Sequence, residues 1–260
     1  MQTVRSKDGT TIAFEKYGSG EPVILVGGAL NNRNSPSTGA PLAALLSASF
    51  TVYAYDRRGR GSSGDTPPYA VEREIEDLEA LVREAGGSAN VFGLSSGAIL
   101  SLEAAARGLS IKKLAVFEPP YNVSAGRPSN SHVSRVNELI TSGCRGEAIE
   151  FFMTQIVEMP GEVVAHIRSS PNWAYLEQLA HTLVYDLTIV GDGAMPVERI
   201  AAIRTPTLMM LGGKSPAWMR EAGEAVANAL PNAQVRFLED QNHAAAPGAF
   251  APELMRFFNS

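Results

Sequence analysis

The stretch "VFGLSSGA", residues 91–98, sets two serines side by side between Gly93 and Gly97. A serine hydroxyl is a poor nucleophile until a base takes its proton, so the chain must hold one serine out and bring a base to it. In a Gly-x-Ser-x-Gly string on a sharp strand-to-helix turn, the middle residue presents its hydroxyl above the sheet. Glycines two residues away on either side leave room for the crowded backbone. Register makes that middle residue Ser95. Ser96 follows at the helix start, where its backbone N–H points at the same reacting atom, so its expected contribution is an amide and its hydroxyl is expendable. Four histidines could serve as base: His132, His166, His181 and His243.

The elements that must position these groups are legible in the hydrophobic pattern. Near-continuous apolar runs start at Pro22 ("PVILVGGA"), Phe50 ("FTVYAYD"), Asn90 ("NVFGL"), Lys113 ("KLAVFE") and Pro206 ("PTLMMLGG"). Short runs rich in branched and aromatic residues, ending in glycine or polar residues, mark strands buried on both faces of a parallel sheet. Residues 11–16 ("TIAFEK") alternate instead, as a half-exposed edge strand does. Helical spacing recurs between the runs. Val71, Ile75, Leu78, Val82 and Ala85 share one face before Gly86-Gly87, residues 96–106 follow the fragment "NVFGL" directly, and 217–230 end at Pro231. Strands alternating with helices predict a doubly wound α/β fold.

Between Pro119-Pro120 and Thr205-Pro206 the rhythm breaks: helical patterns at 133–140, 147–157, 162–167 and 173–187, with no strand-like run. This predicts a body of residues 1–120 and 205–260 and a helical cap of residues 121–204 over the strand ends. Phe151, Phe152, Met153, Trp173, Tyr175, Leu183 and Tyr185 could wall a pocket, although each taken singly could simply pack the cap onto the body. With the reacting groups on the sheet, loosening the cap is expected to weaken and broaden binding more than it slows turnover.

Together these features resemble the α/β-hydrolase superfamily, in particular its serine hydrolases with a helical cap, over nearly the whole chain. "LVGGAL" stands where the family usually has a His-Gly motif after its third strand. "YDRRGRGSSG" (55–64) is similar to the family's Asp-x-Arg-Gly-x-Gly-x-Ser segment, "GLSSG" to its nucleophile elbow, and "EDQNHAAAP" carries a histidine just past the last strand. The resemblance implies His243 as the base and leaves the other three histidines packed or exposed in the helical excursion. It implies oxyanion donors at the amides of Ser96 and Ala29, with Leu30 the next candidate, and Gly27 and Gly28 letting the backbone come close. It also implies that "DRRGRGSSGD" is a structural turn below the site. Three arginines close together also suit phosphate, but no P-loop follows.

The orienting acid departs from the family pattern. Most members carry an aspartate after the strand that follows the cap. Here that stretch reads "LMMLGGKSPAWM", with Ser215 or a neighbour at the expected place and, apart from Glu198 before the strand, no carboxylate between Asp192 and Glu221. Glu118 ends the strand "KLAVFE" next to the nucleophile's strand, at the carboxyl edge where ligand chemistry collects. A carboxylate buried there needs a partner, and some members of the superfamily carry their acid at this strand end. The competing reading pairs Glu118 with an arginine such as Arg57 or Arg127. Asp240, three residues before His243, is a fallback disfavoured by so short a loop.

Bulk properties bound the remainder. The chain has 260 residues, 45% hydrophobic and 19% charged, enough for a real core. A net charge of −5 argues against nucleic acid or an anionic membrane surface as partner. Cys144 is the single cysteine, so no intramolecular disulfide and no cysteine metal cluster can form. No apolar leader core opens the sequence and no run nears the ~20 apolar residues of a membrane span, which points to a cytoplasmic protein. The expectation is a cofactor-independent, metal-free serine hydrolase cleaving a carboxylic ester, thioester or lactone of a small, largely apolar molecule. The same triad would serve a cofactor-free haloperoxidase or a hydroxynitrile lyase, and a non-catalytic ligand receptor is the alternative of a different class.

Overall fold

The buried apolar runs pair into one sheet of eight strands in the computed structural model, which describes residues 1–123 and 130–260. The strands are β1 (Gln2–Arg5), β2 (Thr11–Tyr17), β3 (Glu21–Val26), β4 (Phe50–Tyr55), β5 (Ala89–Leu94), β6 (Ile111–Phe117), β7 (Thr207–Gly212) and β8 (Ala233–Leu238). Their order across the sheet is β1-β2-β4-β3-β5-β6-β7-β8. β1 and β2 are antiparallel to their neighbours, and every pairing from β4 to β8 is parallel. β5 and β7 are buried at every residue, as strands covered on both faces must be. Residues 11–16 do not lie at the edge: β1 pairs outside them. "QTVR" is short and mostly exposed, so it carries no periodic signal.

Helices cover both faces. α1 (Ala40–Leu46), α2 (Val71–Glu84) and α3 (Ser96–Ala106) connect the early strands. Between β6 and β7 come α4 (Asn130–Thr141), α5 (Arg145–Phe151), α6 (Gly161–Arg168), α7 (Trp173–Leu179), α8 (Leu183–Val190) and α9 (Val197–Ala201). α10 (Ala217–Ala229) and α11 (Pro247–Asn259) complete the set. Leu78, Leu81, Ile99 and Val226 bring α2, α3 and α10 into one apolar cluster against the sheet. Leu42, Leu46, Phe250 and Leu254 bring α1 and α11 into another on the sheet's other side.

The segment between β6 and β7 holds its own apolar cluster, built on Val136, Ile149, Leu176, Leu179 and Leu183. Leu30, from the loop after β3, is part of it. The helix expected over 173–187 is broken by a 3₁₀ turn at Ala180–Thr182, and the one expected over 147–157 ends in a π-helical turn at Phe152–Ile156. Residues 124–129 of the 121–204 stretch lie outside the described residues, and with them Arg127. Among the described residues no helix is long and apolar enough to cross a membrane.

Candidate active site

β5 runs straight into α3 with one residue between them, and that residue is Ser95, at φ 57° and ψ −123°. A side-chain-bearing residue at positive φ is strained, and strain of this kind persists where the surroundings over-determine it. Here the Ser95 amide donates to the Phe117 carbonyl at 2.9 Å. The flanking glycines answer to close approach. A Cβ on Gly93 would meet the Gly97 carbonyl and Ser101 Oγ, and one on Gly97 would collide with the Val26 and Gly27 carbonyl oxygens.

Ser95 faces a cavity of about 110 Å³, several waters' worth of space, whose wall also includes Ala29, Ser96, Asp186 and His243. His243 comes from the loop after β8. Its Nδ1 lies 2.6 Å from Glu118 Oε2. A carboxylate only accepts, so Nδ1 carries the proton and Nε2 keeps its lone pair. Glu118 sits just past β6, fully buried and at φ 47°, and its second oxygen accepts the Gly212 N–H at 2.8 Å. Phe117 stacks on the imidazole with ring centres 6.1 Å apart. Neither Arg57 nor Asp240 is Glu118's or His243's partner: Asp240 is exposed and pairs with Lys214 Nζ at 3.0 Å. Ser215 is buried, and its hydroxyl finds no partner among the described residues.

Of the remaining histidines, His132 lies on the cavity wall with its ring edge against Phe151. His166 is exposed on α6, and His181 approaches Asp65 at 3.8 Å. The amides of Ala29 and Ser96 are taken by no backbone acceptor among the described residues.

The arginine-rich segment is a turn, closed by Arg60 N–H on the Arg57 carbonyl at 3.1 Å and Ser63 N–H on the Arg60 carbonyl at 3.0 Å, and its three arginines all pair with carboxylates. Arg58 is structural, reaching Asp77 and Asp8. Arg57 and Arg60 are buried and both pair with Asp186, a residue of the cavity wall. Arg57 grips Glu74 through Nε and Nη2, at 2.7 and 2.6 Å, and reaches Asp186 Oδ1 at 2.8 Å and the Gly27 carbonyl at 3.1 Å through Nη1. Arg60 Nη2 meets both oxygens of Asp186, at 2.8 and 2.7 Å, while its Nη1 donates to the Gly28 carbonyl. Ser96 Oγ donates to Asp186 Oδ1 at 2.7 Å, so the hydroxyl has a use beyond its amide. Burial alone would raise the Asp186 carboxyl, but the guanidiniums of Arg60 and Arg57 and the Ser96 hydroxyl outweigh it and hold it below the usual range. Sequence reasoning passed over Asp186. The available signal was one acid inside the apolar helix "LVYDLTIV", which has to find a buried cation.

A model described as "Alpha/beta hydrolase family" matches residues 23–253. The chain belongs to the alpha/beta hydrolase family. It is similar to an alpha/beta hydrolase from Sphaerobacter thermophilus DSM 20745, with 55% identity and a TM-score of 0.94 over 99% of this chain and 100% of that one. An enol-lactonase from Burkholderia xenovorans LB400 shares the fold at 21% identity and a TM-score of 0.75, over all of both chains. A thermophilic esterase from Thermogutta terrifontis does so at 22% identity and a TM-score of 0.75, over 99% of this chain and 97% of that one. The family match and the 55% identical alpha/beta hydrolase support hydrolysis as the reaction class. Among the described residues no group of three or more His, Cys, Asp or Glu side chains could hold a metal ion.

Proposed function

We propose that the protein is a serine hydrolase that opens a carboxylic ester, thioester or lactone of a small, largely apolar molecule through an acyl-enzyme. The observation that carries this reading is the 2.6 Å bond from His243 to buried Glu118, with His243 and Ser95 on one cavity. In the proposed reaction Ser95 Oγ adds to the carbonyl carbon and its proton passes to His243 Nε2. The oxyanion is held by the amides of Ala29 and Ser96. Collapse expels the alcohol or thiol, which takes the proton from His243, or in a lactone leaves it tethered to the acyl group. Water then adds, giving a proton to His243, and the carboxylic acid leaves as Ser95 recovers its hydrogen. Glu118 fixes the imidazole tautomer and supports its cation throughout.

Residues 121–204 act in this reading as the cap that shapes the substrate's place. Phe152, Ile156, Leu187 and Val190 make the facing wall apolar, which favours an apolar acyl or alkyl group. The ester and lactone bonds named for two structural neighbours are compatible with it. A non-catalytic receptor has no physical need of a histidine oriented by a buried carboxylate.

A fluorophosphonate probe tests the reading. Wild type should be labelled on Ser95 and should turn over a panel of short esters and lactones, and Ser95→Ala should do neither. Wild type that stays unlabelled, or Ser95→Ala that still turns over, refutes it.

A further inference from the structure

The peptide unit joining Gly28 to Ala29 is planar and trans, so its carbonyl and its N–H point opposite ways. Arg60 Nη1 holds the Gly28 oxygen, which turns the Ala29 N–H away from the guanidinium. Ala29 lines the cavity, and Gly28 packs so tightly that an added Cβ would lie 3.0 Å from both the Leu94 carbonyl and Ser95 Cβ. A cation on the carbonyl also polarises the peptide and makes its N–H a better donor.

Arg60 is itself gripped by both oxygens of Asp186 on α8. The same carboxylate receives the Ser96 hydroxyl and Arg57, and Arg57 continues to the Gly27 carbonyl. One side chain of the helical segment therefore anchors the loop that carries Ala29 and also the residue that carries the other amide. Two more contacts tie that loop to the same helices. Leu30, at φ 58°, is buried in their apolar cluster, and the Asn32 side chain donates to the Tyr175 hydroxyl. Arg57, Arg60, Glu74 and Asp186 are each at most 2% exposed. Such a cluster is weak ground for stability alone, because packed apolar residues would serve as well. Its contacts to the Gly27 and Gly28 carbonyls give it another use.

Resting on the serine-hydrolase reading, we propose that Asp186 and Arg60 are positioning residues that aim the two oxyanion amides, so that the helical segment and the oxyanion hole work as one unit. Loosening the helices would then slow turnover, where the sequence alone suggested that it would chiefly weaken binding.

The test compares wild type with Asp186→Asn, Arg60→Lys and the milder Ser96→Ala, which keeps its amide but removes one of Asp186's donors. Each is measured for kcat and KM on a small ester and for Ki with two inhibitors of one carbon skeleton, a trifluoromethyl ketone and the matching alcohol. Ser95 Oγ adds to the ketone carbon, the hydroxyl proton goes to His243, and the carbonyl electron pair becomes an oxyanion that needs both amides. The alcohol makes no such demand. In Asp186→Asn and Arg60→Lys, kcat should fall roughly ten- to hundredfold, somewhat less than loss of a whole donor, with the ketone Ki rising in step. KM and the alcohol Ki should stay within about threefold, and Ser96→Ala should show a smaller split of the same sign. The ketone and alcohol Ki moving together, or neither moving, in the variants that fold would overturn the proposal. Ser95→Ala separates the two levels: if it still forms the ketone adduct, the serine reading itself falls. If it is inert while the other variants show no split, only the positioning role falls.

Discussion

Glu118 spends both of its oxygens, one on His243 and one on the Gly212 amide, and this makes its replacement by glutamine unusually informative. The Gly212 N–H demands an acceptor, so the glutamine oxygen has to take that place and its NH₂ has to face Nδ1. Nδ1 must then accept, the proton moves to Nε2, and the lone pair that takes the Ser95 proton in the proposed reaction is gone. Glu118→Gln should therefore lower kcat by up to about 10⁴, by analogy with loss of the orienting carboxylate in serine proteases. The melting temperature should change little, and steady-state kinetics beside a thermal melt check both. Ser215→Asp in the Glu118→Gln background should recover part of the rate, because Ser215 Oγ lies against the same Gly212, 2.6 Å from where its Cβ would be. Asp240→Asn, at an exposed ion pair, should leave kcat within about twofold. Glu118 was readable because a carboxylate closing an apolar run has to meet something, and Ser95 because its register is local. Asp186 was not: its partners Arg57, Arg60 and Ser96 lie about 90 to 130 residues away in sequence, and only the fold brings them together.

At the scale of elements, the strand-turn-helix unit explains which glycines are obligatory. Gly97, in the first turn of α3, lets that helix sit directly on the end of β3, and a methyl group there would strike the Val26 and Gly27 carbonyls. Backbone cannot step aside as a flexible side chain can, so Gly97→Ala should destabilise by about 3 kcal/mol and shift the loop after β3 that carries Ala29 as well. Gly248 in α11 is the contrast, because nothing stands within 4 Å of an added Cβ. Gly248→Ala should be neutral or stabilise by up to about 1 kcal/mol through helix propensity. Urea midpoints for the two variants moving the same way would contradict this reading of the elbow. The long buried strands and the amphipathic α2 were legible because burial on both faces, or on one, imposes a period. β1 was not, being short and mostly exposed. The π turn at Phe152–Ile156 was not either, since one residue of extra winding leaves the apolar content unchanged, yet it carries two of the cavity's apolar residues.

Across the whole molecule, the sheet is parallel from β4 to β8 and antiparallel only at its β1–β2 margin. A parallel sheet with helices on both faces followed from the run-and-helix alternation, whereas strand order had to come from packing. The margin is fastened by Arg58, fully buried in its side chain, which bridges Asp77 on α2 to Asp8 in the turn between β1 and β2. Burial acts to raise the Asp8 carboxyl, but hydrogen bonds from Thr10 and the Arg58 guanidinium outweigh it and leave it lowered to about 2. A carboxyl held lower in the folded than in the unfolded chain contributes stability that is complete above the unfolded value, near 4, and is lost as pH falls toward the folded one. Asp77 works against this: its burial raises its carboxyl, so protonation there favours the folded chain. Asp8 should therefore be isolated by subtraction, comparing wild type with Asp8→Asn in urea across pH. The wild type should be the more stable by a constant margin from pH 7 down to about 5. The two curves should then converge between about pH 4 and pH 2, as the wild-type carboxylate takes up the proton it resists in the folded state. A margin that is flat through pH 2, or that widens on acidification, would mean that Arg58 does not hold the β1–β2 margin through the charge of Asp8.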